Sequence, residues 1–403
     1  MLRAWFLFIL LNVSVHSVEL GVDVFFQEGH FERLKGKKVG LITNQTGVNK
    51  DLKPTAELLK EHGIPLTALF APEHGFQGLC YAGEDVKDRK NGAVPIHSLH
   101  GATRRPTEKM LKGLDVLIFD IQDSGCRAYT YPTTLYYAME EAVKFGIQVI
   151  VLDRPNPING VVVDGPMLKE HWRSFIGYIN VPFCHGMTIG ELARFFNEHY
   201  HIGCDLRVVA MKGWKRSMSF RDTGLTWIPP SPNMPEIDTP LYSAMTGIIG
   251  ELDLVNIGIG YTMPFKIIGA PWIKAHVFAA ELNAQKLPGI QFLPFHYRPF
   301  YGSYKGQDCQ GVMLVITNAS IYKPLSVQYL LLGVLKTLYP QQVEAKLRLA
   351  AESKKDLFCK ANGNGEMFQL LKNEKYVAWK LILFEKEQRE AFLPLREKYL
   401  IYN

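Results

Sequence analysis

Four short, nearly unbroken apolar runs punctuate the first part of the chain, at residues 38–44, 66–71, 115–121 and 147–153. Such runs, apolar without alternation, are the pattern of strands covered on both faces. Between them apolar residues recur at helical spacing over 53–61, 107–112 and 133–145, so strand and helix alternate. The alternation predicts an α/β architecture with a parallel, doubly wound sheet. Farther on, Thr188 and Glu191 form a capping box ahead of an apolar helical face, and Leu206–Met211 reads as another strand. Trp227–Pro235 carries four prolines, which remove backbone donors and impose a rigid extended loop bearing Ser231 and Asn233. After Pro264-Phe265 the pattern changes: helices are expected over 275–286 and 325–339, and strands over 289–297 and 311–317. The expected organisation is a doubly wound domain over 18–262 followed by a smaller α+β domain over 263–403.

Each run of the first domain ends in a polar cluster: Thr43-Asn44-Gln45-Thr46, then Glu73-His74, then Asp120, Gln122 and Asp123, then Asp153, Arg154 and Asn156. Parallel strands bring their carboxyl ends to one edge, and open α/β sheets bind ligands there. The clusters are therefore expected to converge on one cleft. Any one of them, taken singly, is also compatible with a cap or a turn.

The N-terminus adds an address. Met1-Leu2-Arg3 is basic, Ala4–Leu11 is apolar, and Val15-His16-Ser17 offers a cleavage site, so residues 1–17 read as a signal peptide. Asn12, Ser14 and His16 interrupt the apolar run well short of the roughly 20 residues that a membrane span needs. No later run is long enough, and a periplasmic or secreted mature chain from Val18 without an integral membrane segment is expected. At 47% hydrophobic and 21% charged residues, the composition excludes a disordered chain. A net charge of +6, dispersed along the sequence, gives no basic stripe for nucleic acid. The six cysteines include no C-x-x-C pair, so a thiolate metal site is not expected; mostly buried thiols are, with at most a bridge or two.

The first strand-to-helix turn, Asn44-Gln45-Thr46-Gly47-Val48, lacks both glycine-rich phosphate loops, which argues against a nucleotide. No G-x-S-x-G elbow is present for a serine hydrolase. His74, His185, Asp120 and Asp123 are ligand types for a hydrolytic metal, which leaves a metal-dependent hydrolase as an alternative, although no H-E-x-x-H spacing supports it. The clusters chiefly supply carboxyl groups: Glu73, Asp120, Asp123 and Asp153, with Glu251 later. Glycosidic cleavage needs a protonated carboxyl at the leaving oxygen and often a second carboxylate, with no cofactor. Glu73, beside Pro72 and near other acids, is expected to have a raised pKa.

Five segments carry a resemblance. Ala71-Pro-Glu-His-Gly-Phe-Gln-Gly78, Phe119-Asp-Ile-Gln-Asp-Ser-Gly-Cys-Arg-Ala-Tyr-Thr-Tyr131, Leu152-Asp-Arg-Pro-Asn-Pro-Ile-Asn-Gly160, His185-Gly-Met-Thr-Ile-Gly-Glu-Leu-Ala193 and Pro230-Ser-Pro-Asn-Met-Pro235 resemble the exo-β-N-acetylmuramidases of the NamZ family. The resemblance implies a Rossmann-like N-terminal domain, a smaller C-terminal domain, and a cleft that releases N-acetylmuramic acid from non-reducing ends of peptidoglycan fragments or muropeptides. It further implies Glu73 as general acid/base, with His74, Asp120 and Asp123 as catalytic neighbours. Asn44, Gln122, Arg127, Tyr131, Arg154, Asn156, His185, Asn233 and Glu251 would line the sugar site. One stretch departs from the family pattern: Glu251, Gly258, Gly260 and Thr262 are kept, but Ile257 stands for an acid, and Ile259 and Met263 stand for arginines. Arginine is shaped to clamp the lactyl carboxylate of a muramic acid, so a weakened or redirected enzyme, or a sugar-binding protein that keeps the cleft, is the alternative expectation.

Overall fold

The computed structural model describes residues 17–403, and the expected signal peptide lies, Ser17 apart, outside the described residues. The strands, in chain order, are β1 (Val39–Thr43), β2 (Leu66–Ala71), β3 (Arg89–Asn91), β4 (Val94–Ser98), β5 (Val116–Asp120), β6 (Gln148–Leu152), β7 (Leu206–Val209), β8 (Ile267–Ala270), β9 (Ile290–Tyr297) and β10 (Cys309–Ile316). The first seven form one sheet in the order β3-β4-β2-β1-β5-β6-β7, parallel except for the antiparallel edge pair β3–β4. Every residue of β1 and β5 is buried, as strands with helices on both faces require. The expected parallel, doubly wound sheet is therefore present, with its carboxyl edge formed by residues 43–46, 72–74, 99–101, 120–123 and 153–156.

The β3–β4 hairpin was not legible as strand. All of β3 is exposed, and β4 carries Pro95 and His97, so neither presents an apolar run. Its turn follows Asn91 with Gly92 at φ +60°, a local hairpin signal.

The remaining strands form a second, antiparallel sheet in the order β8-β10-β9. Its core continues into the helices Thr239–Gly250, Ala275–Ala284 and Pro324–Leu338, the last buried along nearly its whole length. The helix Thr239–Gly250 thus packs with this second core although it precedes the expected division at 262. Five further helices follow, Pro340–Leu349, Glu352–Asn362, Glu366–Asn373, Ala378–Ile382 and Lys386–Glu397. The last returns to the large sheet, where Phe392 and Tyr399 join its core and the Tyr402 hydroxyl donates to Asp153 at 2.6 Å. Among the described residues no helix is long and apolar enough to cross a membrane. All six cysteines are free thiols, and all but Cys80 are buried.

Candidate active site

A cavity of about 830 Å³ opens at the carboxyl edge of the large sheet and is closed on its far side by the second core. Glu73, His74, His100 and Thr130 line it from the sheet; Glu251, Asn256, Ile257 and Lys354 line it from the other side, and Asn233 reaches it from the proline-rich loop. Glu73 and Glu251, from distant parts of the chain, thus share one cavity; Asp253 and Asp356 also line it, each paired with a lysine.

Glu73 lies two residues beyond β2, and the chain turns sharply behind it at His74, whose φ is +69°. The residue is only 8% exposed. One carboxylate oxygen accepts from the Gly83 backbone N–H at 2.9 Å and the other from the Thr130 hydroxyl at 2.7 Å. His100 Nε2 stands 3.6 Å from the first oxygen. Burial alone raises the carboxyl's pKa, but the two donated hydrogen bonds and the neighbouring imidazoles outweigh it, and the pKa lies below the ordinary carboxylate value. This corrects the expectation of a raised pKa: the crowding acids are absent from its surroundings, and donors have taken their place. Glu73 rests as a carboxylate.

Glu251 behaves in the opposite sense. It follows the helix Thr239–Gly250, and burial pushes its pKa up to about 7, with Lys354 lowering it and Asp253 raising it. At neutral pH a substantial fraction carries a proton. Among carboxyl pairs in one site, environments that drive the pKa values apart separate an acid from a base.

The other polar clusters do converge, but largely on one another. Asp120 is fully buried and holds Arg154 Nε at 2.6 Å while accepting from the Thr55 hydroxyl at 2.5 Å. Arg154 also donates to the Val48 carbonyl at 2.8 Å. Gln122 bridges the Asp123 and Pro155 carbonyls, and Asn44 donates to the Tyr131 hydroxyl at 3.1 Å, which in turn donates to the Pro230 carbonyl at 2.6 Å. Asn156 caps its own loop, accepting from Ile158 N–H and donating to the Met187 carbonyl. Arg127, expected at the sugar, donates instead to the carbonyls of Pro166, Val181, Ala361 and Asn362. His185 is fully buried behind the site and stays neutral, its pKa pushed down to about 3 by burial and by Arg396 and Arg127. Asp123 is enclosed, accepts from Gly125 N–H at 3.0 Å, and is pushed up to about 7 by burial. None of Asn44, Asp120, Gln122, Asp123, Arg127, Tyr131, Arg154, Asn156 and His185 lines the cavity; they hold its frame, while Glu73, His74, Asn233 and Glu251 face it. Among the described residues no group of three His, Cys, Asp or Glu side chains is arranged to hold a metal ion.

The stretch that departs from the family pattern depends on its glycines. A Cβ at Gly258 would stand 2.1 Å from the Met263 carbonyl oxygen, and one at Gly260 only 1.9 Å from that of Tyr301, so both glycines are needed for the fold of the loop. Ile257 and Ile259 make an apolar wall in the cavity, whereas Met263 packs away from it with Ile267 and Tyr297. The strand-end reading missed His100, Arg104 and Thr130. His100 lies two residues beyond β4, and the same rule would have found it had that strand been legible.

Fold and cavity together define an α/β protein of two sheets with a carboxyl-bearing cleft between them. The chain belongs to the NamZ family: the family models described as exo-β-N-acetylmuramidase NamZ, N-terminal and C-terminal, match residues 39–238 and 241–402. It is 42% identical over 390 residues to the peptidoglycan β-N-acetylmuramidase NamZ of Bacillus subtilis strain 168, covering 96% of this chain and 92% of that one. Two crystal structures of DUF1343 family proteins from Bacteroides fragilis share the fold. One has a TM-score of 0.89 at 36% identity, covering 96% of this chain and all of the other. The second has a TM-score of 0.71 at 26% identity, covering 96% and 99%.

Proposed function

We propose that the protein is an exo-acting β-N-acetylmuramidase that hydrolyses peptidoglycan fragments, with Glu251 as general acid and Glu73 as the opposing carboxylate. The carrying observation is that these two carboxyls line one cavity from opposite sides with their pKa values displaced in opposite directions. A near-neutral Glu251 has a proton to give to the leaving oxygen as the glycosidic bond lengthens. Glu73, fixed by Thr130 and Gly83, presents negative charge where the sugar becomes cationic, or takes a proton from the attacking water. The resemblance assigned the acid to Glu73; the electrostatics of the cavity favour the exchange of roles. Similarity to the Bacillus subtilis enzyme over nearly the whole chain supports the substrate class. The leader-like residues 1–17 support action outside the cytoplasmic membrane, in the periplasm or beyond. Retention of both carboxyls supports a hydrolase over the binding-protein alternative despite Ile257 and Ile259.

The assignment of roles is tested with aryl β-N-acetylmuramides whose leaving groups differ in acidity. Glu251→Gln is expected to slow a poor leaving group by at least about a hundredfold and a nitrophenolate by less than about tenfold, since a good leaving group needs no proton. Glu73→Gln is expected to slow both alike. The reverse pattern would return the acid to Glu73.

A further inference from the structure

The cavity holds a cluster that donates no hydrogen bond to either carboxyl. His100 is 3% exposed, and neither of its ring nitrogens has a hydrogen-bond partner, although both are buried. An imidazole in that position forfeits the hydrogen bonds it had in water unless something arrives to satisfy it. Arg104, on the following loop, also lines the cavity. Of the cavity's other cations, Lys354 is paired with Asp253 at 3.3 Å and Lys360 with Asp356 at 2.6 Å, whereas Arg104 has no ion pair among the described residues. One ring organises both groups: the Arg104 guanidinium lies 4.7 Å over the Phe175 centroid, and the His100 ring centroid is 5.5 Å from it. Stacking on an aromatic face fixes a guanidinium's plane while leaving its N–H edges free. Across the cavity stands the apolar wall of Ile257 and Ile259.

We infer that His100 and Arg104, seated on Phe175, form the subsite that receives a carboxylate carried by the saccharide, such as the lactyl carboxylate of a muramic acid. The inference rests on the proposed glycosidase reading and adds its anion specificity. Arg104 supplies charge and paired N–H donors, and a His100 N–H adds a third donor from a buried position. His100 Nε2 stands 3.6 Å from the Glu73 carboxylate, so the proposed anion subsite adjoins the carboxylate assigned to the reacting sugar. The cation that recognises the carboxylate therefore comes from the loop after β4, on the sheet side, while residues 257 and 259 contribute only apolar surface.

The test compares a chromogenic β-N-acetylmuramide with its lactyl methyl ester, using the wild-type protein, Arg104→Gln and His100→Gln. The wild type is expected to prefer the free acid in kcat/KM by at least tenfold. Each variant is expected to reduce that preference at least fivefold, chiefly through KM. Calorimetry with free N-acetylmuramic acid and N-acetylglucosamine gives a readout independent of turnover. Arg104→Gln should weaken the first at least fivefold and leave the ratio of the second to wild type near one. Arg104 is exposed, so its variant is expected to fold even if the His100 variant does not. An acid-to-ester preference unchanged by Arg104→Gln would overturn the subsite. A wild type that cleaves neither substrate but binds the muramic acid through Arg104 would overturn the glycosidase reading alone.

Discussion

At the scale of single residues, the cleft holds two glutamates in opposite states. Glu251 has a folded pKa of about 7, raised above its unfolded value, so between the two values the native state binds more protons than the unfolded one. Stability contributed by this protonated group is complete below the unfolded pKa and is lost as pH rises through about 7. Removing the charge should reverse the loss: Glu251→Gln is expected to raise the stability at pH 8 by about 1–3 kcal/mol and to change it little at pH 4, as read by denaturant melts at both values. Activity that needs a protonated Glu251 should decline above about pH 7, and the alkaline limb of the kcat/KM profile should move or vanish in this variant. The opposite sign holds for Glu73, whose depressed pKa contributes stability that is lost as pH falls through its folded value. The identity of Glu73 as a cavity residue was legible in the sequence, because a short apolar strand ends beside it. Its ionisation state was not, because the donors Thr130 and Gly83 lie at separations that no local pattern reveals.

At the scale of elements, the apolar runs at β1, β2, β5 and β6 were legible because both faces of those strands are buried. The hairpin β3–β4 was hidden by its exposure, and with it the position of His100. The sequence pattern places the polar residues after the strands at a sugar site, yet most bind one another. Type and position along the chain cannot distinguish a carboxylate facing solvent from one facing an arginine on the next strand. Asp120 and Arg154 show the consequence. Asp120→Asn should destabilise the fold by roughly 3–5 kcal/mol, the usual cost of leaving a buried partner charge uncompensated, with KM unchanged in the fraction that remains folded. Denaturant unfolding beside kinetics at low temperature separates this outcome from that expected of a catalytic aspartate, in which kcat falls and stability does not.

At the scale of the whole molecule, the cleft exists because two cores are fastened to each other. Arg127 ties the loops at 166 and 181 to the helix end at 361–362, and the C-terminal helix returns to the large sheet through Arg396, which donates to the His185 and Gly186 carbonyls. Arg127→Met should lower stability by about 3 kcal/mol or more, since four buried carbonyl acceptors lose their donor at once. Joint action of Glu73 and Glu251 on one muramyl linkage is the step on which the proposed hydrolysis turns. Its most direct test is to incubate purified wild type, Glu73→Gln and Glu251→Gln with the disaccharide N-acetylmuramyl-N-acetylglucosamine and to measure the released monosaccharides by mass spectrometry. The wild type should release both sugars, each variant should slow the release by at least about a thousandfold, and all three should bind the disaccharide within about tenfold of one another. Release by Glu73→Gln at close to the wild-type rate, or none by a folded wild type, would rule this joint action out.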